Sequence, residues 1–345
     1  MVRKLIRKIY RVGSTIVPSR RYSIKNSQFF SDVNDPAIPM MFEELFTRKE
    51  PSFITRLGGN EFESAAFYLN NPRTFVMSGL CHHYMEKLQS YAGYFDFSHD
   101  KKLFMRYLQL LINSYESANA VTYANSDLKE NVEHNSFPHH RYKLMNLVAV
   151  DKPLLNFTFI EALSPFLKSF SKWGAGKKIL IVSPFSESLR IQYKRKNDLI
   201  PGYQFPEFDL ITVQSRITYS TWEDTKESLN IDTNNWFEEF ERLKGAIAAE
   251  DFDIAWLSCA SYAGPLGAYI KNELGHHSLY LGGILNPIFN IYGERYDTSF
   301  YKEFSNPKTQ IDPVENSMIE HISAGKDTPS EAIRAYFGTR KESLK

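Results

Sequence analysis

Six consecutive residues, Arg56-Leu57-Gly58-Gly59-Asn60-Glu61, place a planar cation, two glycines and a carboxylate in one short stretch. Gly58 and Gly59 permit a tight turn and close approach of a ligand, and Arg56 presents a fixed fork of donors suited to phosphate. Glu61 stands near the start of the helical pattern that follows. A cation for a phosphate beside a carboxylate for a proton or a metal ion suits transfer from a phosphate-activated donor. That chemistry needs leaving-group charge stabilised and an acceptor hydroxyl oriented or deprotonated. The same residues also describe an ordinary strand-to-helix turn, with Glu61 favoured by the positive helix end.

Two further segments place reactive types after apolar runs. Ser183-Pro184-Phe185-Ser186-Glu187-Ser188 follows the run KILIVS. Here Ser186 is expected to cap a helix whose first N–H groups face a phosphate, with Ser183 and Glu187 as binding residues and Glu187 orienting a sugar hydroxyl. Capping alone accounts for Ser186 as well. The segment SCASYAGPLGAY follows the run DIAWL and offers Ser261, Tyr262 and Gly264 at a helix start, where small residues admit a base, ribose or diphosphate and Tyr262 stacks or hydrogen-bonds. Gly282 and Gly283 close the last clear strand and are expected to shape the same crevice. Tyr219 and Trp222, in the loop after Val213, are candidates for an acceptor platform. Cys259 has no recognisable partner base, so it reads as a small buried residue. The stretch Lys172 to Lys178 precedes its strand and lacks the phosphate-loop spacing. The pairs His82-His83, His139-His140 and His276-His277 lack a helical metal spacing and are expected on the surface or in loops.

The elements that must hold these residues alternate. Strands are expected at Ser52–Leu57, Ala118–Tyr123, Lys178–Ser183, Asp209–Val213, Asp253–Ser258 and Ser278–Leu281. Helices are expected at Pro39–Thr47, Glu61–Leu69, Lys101–Ser117, Phe157–Phe170, Glu187–Lys194, Trp236–Ala249 and Pro265–Leu274. The alternation predicts an α/β fold: a doubly wound, mostly parallel Rossmann-like sheet with helices on both faces and ligands beyond the carboxyl ends of the strands. Lys178–Ser183 and Asp253–Ser258 are nearly continuous apolar runs, as expected of strands covered on both faces.

Composition narrows the classes. The 345 residues are 43% hydrophobic, enough for a large core, and the formal charge of +1 gives no argument for nucleic acid. Eight basic residues and no acidic one lie between Met1 and Lys25, leaving a mildly acidic body. Val2, Leu5, Ile6, Ile9 and Val12 recur at helical spacing opposite Arg3, Lys4, Arg7, Lys8 and Arg11. Residues 1–17 thus read as a basic amphipathic helix able to contact an anionic membrane surface, or as a tail docked on the body. Two cysteines without zinc spacing, no run of about 18 apolar residues and no signal-type apolar block predict a cytoplasmic protein, peripheral on the inner membrane face. The expected organisation is a leader and linker over 1–34, a catalytic domain over 35–305 and a C-terminal extension over 306–345, with a helix at Pro329–Phe337.

The string Arg56-Leu57-Gly58-Gly59-Asn60-Glu61 resembles the RxGxxE signature of bacterial glycosyltransferases of the GT-D fold, associated with surface-polysaccharide biosynthesis. The blocks GKKILIVSPFSESLRIQY, DFDIAWLSCASYAGPLGAYIK and LYLGGILNPIFNIYGERY extend the resemblance over about residues 40–300. It implies a GT-D-like domain that moves a sugar, a hexose by expectation, from a nucleotide-sugar donor to a surface-glycan or lipid-linked acceptor. Carried over residue by residue, Glu61 is the acid/base or metal-orienting residue and Arg56 a donor-phosphate or turn-holding residue. Gly58, Gly59 and the later strand-end residues would line the donor site. Many members hold manganese or magnesium with a DxE pair; Gly59 stands at its first acidic position, which leaves Glu61 as the one metal candidate. A noncatalytic nucleotide- or glycan-binding subunit is the alternative. A Rossmann-like methyltransferase is another, though no glycine-rich cofactor loop follows the first strand.

Overall fold

The computed structural model describes residues 21–315, apart from 25–28, 31, 124–129, 133, 156–162, 221, 223, 228, 230 and 297. The helices expected over 1–17 and Pro329–Phe337, and the first residues of the one expected from Phe157, lie outside the described residues. Among the described residues ten strands follow in chain order: β1 (Arg21–Tyr22), β2 (Phe29–Phe30), β3 (Phe53–Leu57), β4 (Ala120–Tyr123), β5 (Phe137–Pro138), β6 (Leu154–Leu155), β7 (Lys178–Ser183), β8 (Asp209–Gln214), β9 (Ile254–Leu257) and β10 (His277–Tyr280). Eight form one sheet in the order β2-β6-β4-β3-β10-β9-β7-β8. Every neighbouring pair in it is parallel.

The register shows how each face is covered. Phe53 of β3 stands beside Ser278 of β10, which stands beside Ala255 of β9, while Ile54, Leu279 and Trp256 form the next row and point to the other face. On the first face lies the helix Ala263–Tyr269, where Gly267 leaves the space that the Phe53 ring fills and its carbonyl accepts from the Ser278 hydroxyl. The helix Lys101–Ser117 packs beside it. On the second face, Phe166 and Phe170 of the helix Leu163–Trp173 meet Trp256 edge to face. This is a doubly wound, Rossmann-like α/β architecture, with aliphatic strands buried between two helical layers.

Most of the long, strongly patterned elements fall within one or two residues of where the sequence places them, and Lys178–Ser183 and Lys101–Ser117 coincide with their expected bounds; the helix expected to end at Phe170 runs on to Trp173. The segment Pro18 to Asn34, read as linker, contributes β1, antiparallel to β5, and β2, the edge of the main sheet. Two-residue strands carry too little periodicity to be seen in sequence. The helix Leu80–Ala92 was also missing from the sequence reading. Its low mean hydropathy hides a buried stripe of Cys81, Tyr84, Met85 and Leu88. No described helix is long and apolar enough to cross a membrane.

Candidate functional site

β7 leads outward to its neighbour β8, whereas β9 leads to β10 on its other side, so the strand order reverses between β9 and β7. Such a reversal opens a crevice at the carboxyl edge of a parallel sheet. A cavity lies there, lined from five adjacent strand ends: Arg56 near the end of β3, Tyr280 and Gly282 at β10, Ser258 and Cys259 after β9, Phe185 after β7, and Ser215 to Tyr219 after β8. Glu61 and Asn286 complete its inner wall. It encloses about 80 Å³, against about 10–15 Å³ per water on the same measure. That is room for a phosphoryl group or part of a sugar.

Gly58 caps the helix Gly59–Asn70, and Glu61 sits in its first turn, where the helix dipole favours negative charge. The Glu61 side chain folds back over the cap: a Cβ on residue 58 would overlap its carboxylate. Gly282 does the same service for Arg56. Its φ is +61, and a Cβ there would stand 2.5 Å from Arg56 Nη1. Both glycines therefore make space for the two charged side chains, which the Arg-Leu-Gly spacing alone does not reveal. The Arg56 guanidinium lies over the Tyr280 ring, 5.5 Å from its centroid.

Glu61 is only 7% exposed. Burial pushes its carboxyl up to about 7, against the opposing pull of Arg56 and of the Tyr107 hydroxyl. Tyr107 and Tyr115, both buried beside it, are held well above the usual phenol range by burial first and by the Glu61 charge second. A carboxyl poised near neutrality at a cavity wall, next to a fixed cation, has the properties of an acid/base group. Ala260, on the same wall, adopts φ +54 without being glycine, a local strain of the kind that gathers at functional sites.

Of the residues read from the sequence, Arg56, Glu61, Tyr219 and Gly282 line the cavity, as do Ser258 and Gly283. Gly58 supports them from behind, and Gly59 is the first residue of the helix. Others are spent elsewhere. Ser183 accepts from the Phe185 N–H within the turn after β7. The helix Ser186–Tyr193 is not capped by Ser186, which donates to the Ser183 carbonyl. Glu315 reaches back instead and accepts from the backbone N–H groups of Glu187 and Ser188 at 2.9 and 3.0 Å and from the Ser188 hydroxyl. The N–H groups expected to face a phosphate therefore already hold a carboxylate. Glu187 turns to solvent and pairs with Arg190.

In the short turn Ala260–Tyr262 after β9, Ser261 and Tyr262 point inward rather than into the crevice. Tyr262 stacks on Trp236 with ring centroids 5.0 Å apart, and Ser261 accepts from the Trp236 indole N–H at 2.8 Å. Gly264 lies against Ser114 and Leu111 of the helix Lys101–Ser117, a packing position. Trp222 stacks on His99 with centroids 3.6 Å apart, meets the tilted His82 ring at 4.2 Å, and does not line the cavity. Cys259 is a buried thiol that burial pushes up, consistent with a packing role. The sequence reading missed Ser215, Thr218, Tyr280 and Asn286; for Ser215, which directly follows β8, the strand-end rule was the available signal.

The donor set fits a protein-built metal site poorly. Glu61 is the one carboxylate on the cavity wall and faces a guanidinium, and among the described residues no three His, Cys, Asp or Glu side chains gather in a way that could hold an ion. Among the described residues the wall offers manganese or magnesium one carboxylate and no second. No family model, curated protein or solved structure matches the chain.

Proposed function

We propose that the chain is a glycosyltransferase of the GT-D type, moving a hexose from a nucleotide sugar to a surface-glycan or lipid-linked acceptor. What carries the reading is the Glu61 carboxyl, held near neutrality beside Arg56 at the carboxyl edge of the sheet, in a cavity sized for a phosphoryl group or a sugar fragment. In the reaction the acceptor hydroxyl gives its proton to the Glu61 carboxylate as its oxygen bonds to the anomeric carbon. The bond from that carbon to the diphosphate breaks, and its electron pair leaves with the phosphate oxygen, whose charge Arg56 stabilises. Tyr219, a residue of the cavity wall, would supply an aromatic contact to the acceptor. The basic residues between Arg3 and Arg11 would hold the enzyme at an anionic membrane surface, where a lipid-linked acceptor lies.

Turnover assays over a panel of nucleotide sugars, each with and without candidate acceptors, test the reading, with Glu61→Gln as the control. Sugar transfer that Glu61→Gln reduces by about 100-fold or more is expected. Undiminished turnover in that variant rejects the role of Glu61, and saturable donor binding without any turnover favours a noncatalytic binding subunit.

A further inference from the structure

Two uncharged side chains in the cavity wall, Asn286 and Ser215, have buried polar atoms without a hydrogen-bond partner among the described residues. Asn286, in the short helix Leu285–Ile288 that follows the Gly282 turn, is 1% exposed, and its amide Nδ2 has no hydrogen-bond partner among the described residues. Ser215, directly after β8, is also 1% exposed, and its hydroxyl likewise has none. Both residues line the cavity that holds Arg56 and Glu61.

A buried polar group left unpaired costs about 1–3 kcal/mol, and folded proteins keep few of them. Two such groups on one cavity wall are accounted for if a ligand completes their bonds. The wall is rich in donors: the Arg56 guanidinium, the Asn286 amide and the Ser215 hydroxyl stand against one carboxyl, Glu61, whose charge Arg56 offsets. A ligand group made of acceptor oxygens matches that set, and a phosphoryl group has only acceptors when ionised. Resting on the glycosyl-transfer reading, we infer that Asn286 and Ser215 bind the phosphoryl oxygens of the nucleoside diphosphate part of the donor, together with Arg56.

Calorimetric titration of the full chain with UDP, GDP, ADP, CDP, dTDP and inorganic pyrophosphate tests this, on the wild type, Asn286→Leu and Ser215→Ala, with melting curves taken without ligand. Each substitution is expected to weaken diphosphate binding about tenfold or more. The ligand-free melting temperature should stay level or rise, because an unpaired polar group is exchanged for an apolar one of similar size. Variants that bind diphosphate as tightly as the wild type overturn the assignment and leave the glycosyl-transfer reading standing. A melting temperature that falls along with affinity also overturns it, since the groups would then be bonded within the protein. A wild type that binds none of the six probes overturns both.

Discussion

Replacing Glu61 with glutamine keeps the side-chain shape and removes the proton that titrates. In the unfolded chain that carboxyl ionises near its ordinary value of 4.5, and in the fold burial holds the proton up to about 7. Between these values the folded protein binds the proton and the unfolded chain does not, so stability falls as pH rises from about 4.5 and levels off above about 7. At about 1.4 kcal/mol per pH unit the full loss is about 3 kcal/mol. Most of it, about 2–3 kcal/mol, is incurred between pH 5 and pH 8. Glu61→Gln has no such dependence. The difference in unfolding free energy between variant and wild type should therefore shift in favour of the variant by about 2–3 kcal/mol from pH 5 to pH 8. Urea titrations at pH 5, 6, 7 and 8, followed by the fluorescence of the buried Trp236 and Trp256, measure this directly. A difference that stays constant, or that shifts against the variant at pH 8, refutes the argument. It would mean that Glu61 is an ordinary ionised partner of Arg56 and not a carboxyl kept near neutrality by burial.

Three further outcomes follow from the same geometry. Tyr107→Phe removes a hydroxyl that lowers the Glu61 proton affinity, so the alkaline-rising limb of the pH–rate profile should move upward; an unchanged or lowered midpoint argues against the contact. Gly282→Ala forces a side chain into φ +61 and against Arg56, which should cost about 1–2 kcal/mol in backbone strain alone by denaturant titration. It should also lose activity, whereas a variant of wild-type stability and rate would show that the turn has no fixed conformation. Glu315→Ala strips three hydrogen bonds from the start of the helix Ser186–Tyr193, a cap loss of about 1–2 kcal/mol. Unaltered stability would show that water replaces the carboxylate without penalty.

The alternation of apolar runs and helical stripes sufficed for the α/β class and for a sheet with helices on both faces, because Ile179 to Val182 and Ile254–Leu257 are buried on both sides and so are apolar. The strand-end rule likewise led from sequence to Arg56, Glu61, Tyr219 and Gly282, since in a parallel sheet the residue after each strand has one place to go. Which strand-end residues face the crevice was a different matter. Ser261 and Tyr262 follow β9 within five residues, yet the turn at Ala260 places them on Trp236, 25 positions before Ser261 in the chain. The helix start at Ser186 was legible, but its occupant, Glu315, comes from 127 to 128 positions further along the chain. The meaning of the glycines also came late. Sequence shows that Gly58 and Gly282 permit turns; only the fold shows Glu61 and Arg56 occupying the volumes a Cβ would need. The type and order of the elements are set by local periodicity, which a sequence carries within a dozen residues. The identity of the cavity wall is set by contacts between segments far apart in the chain, and those exist only once the sheet has assembled.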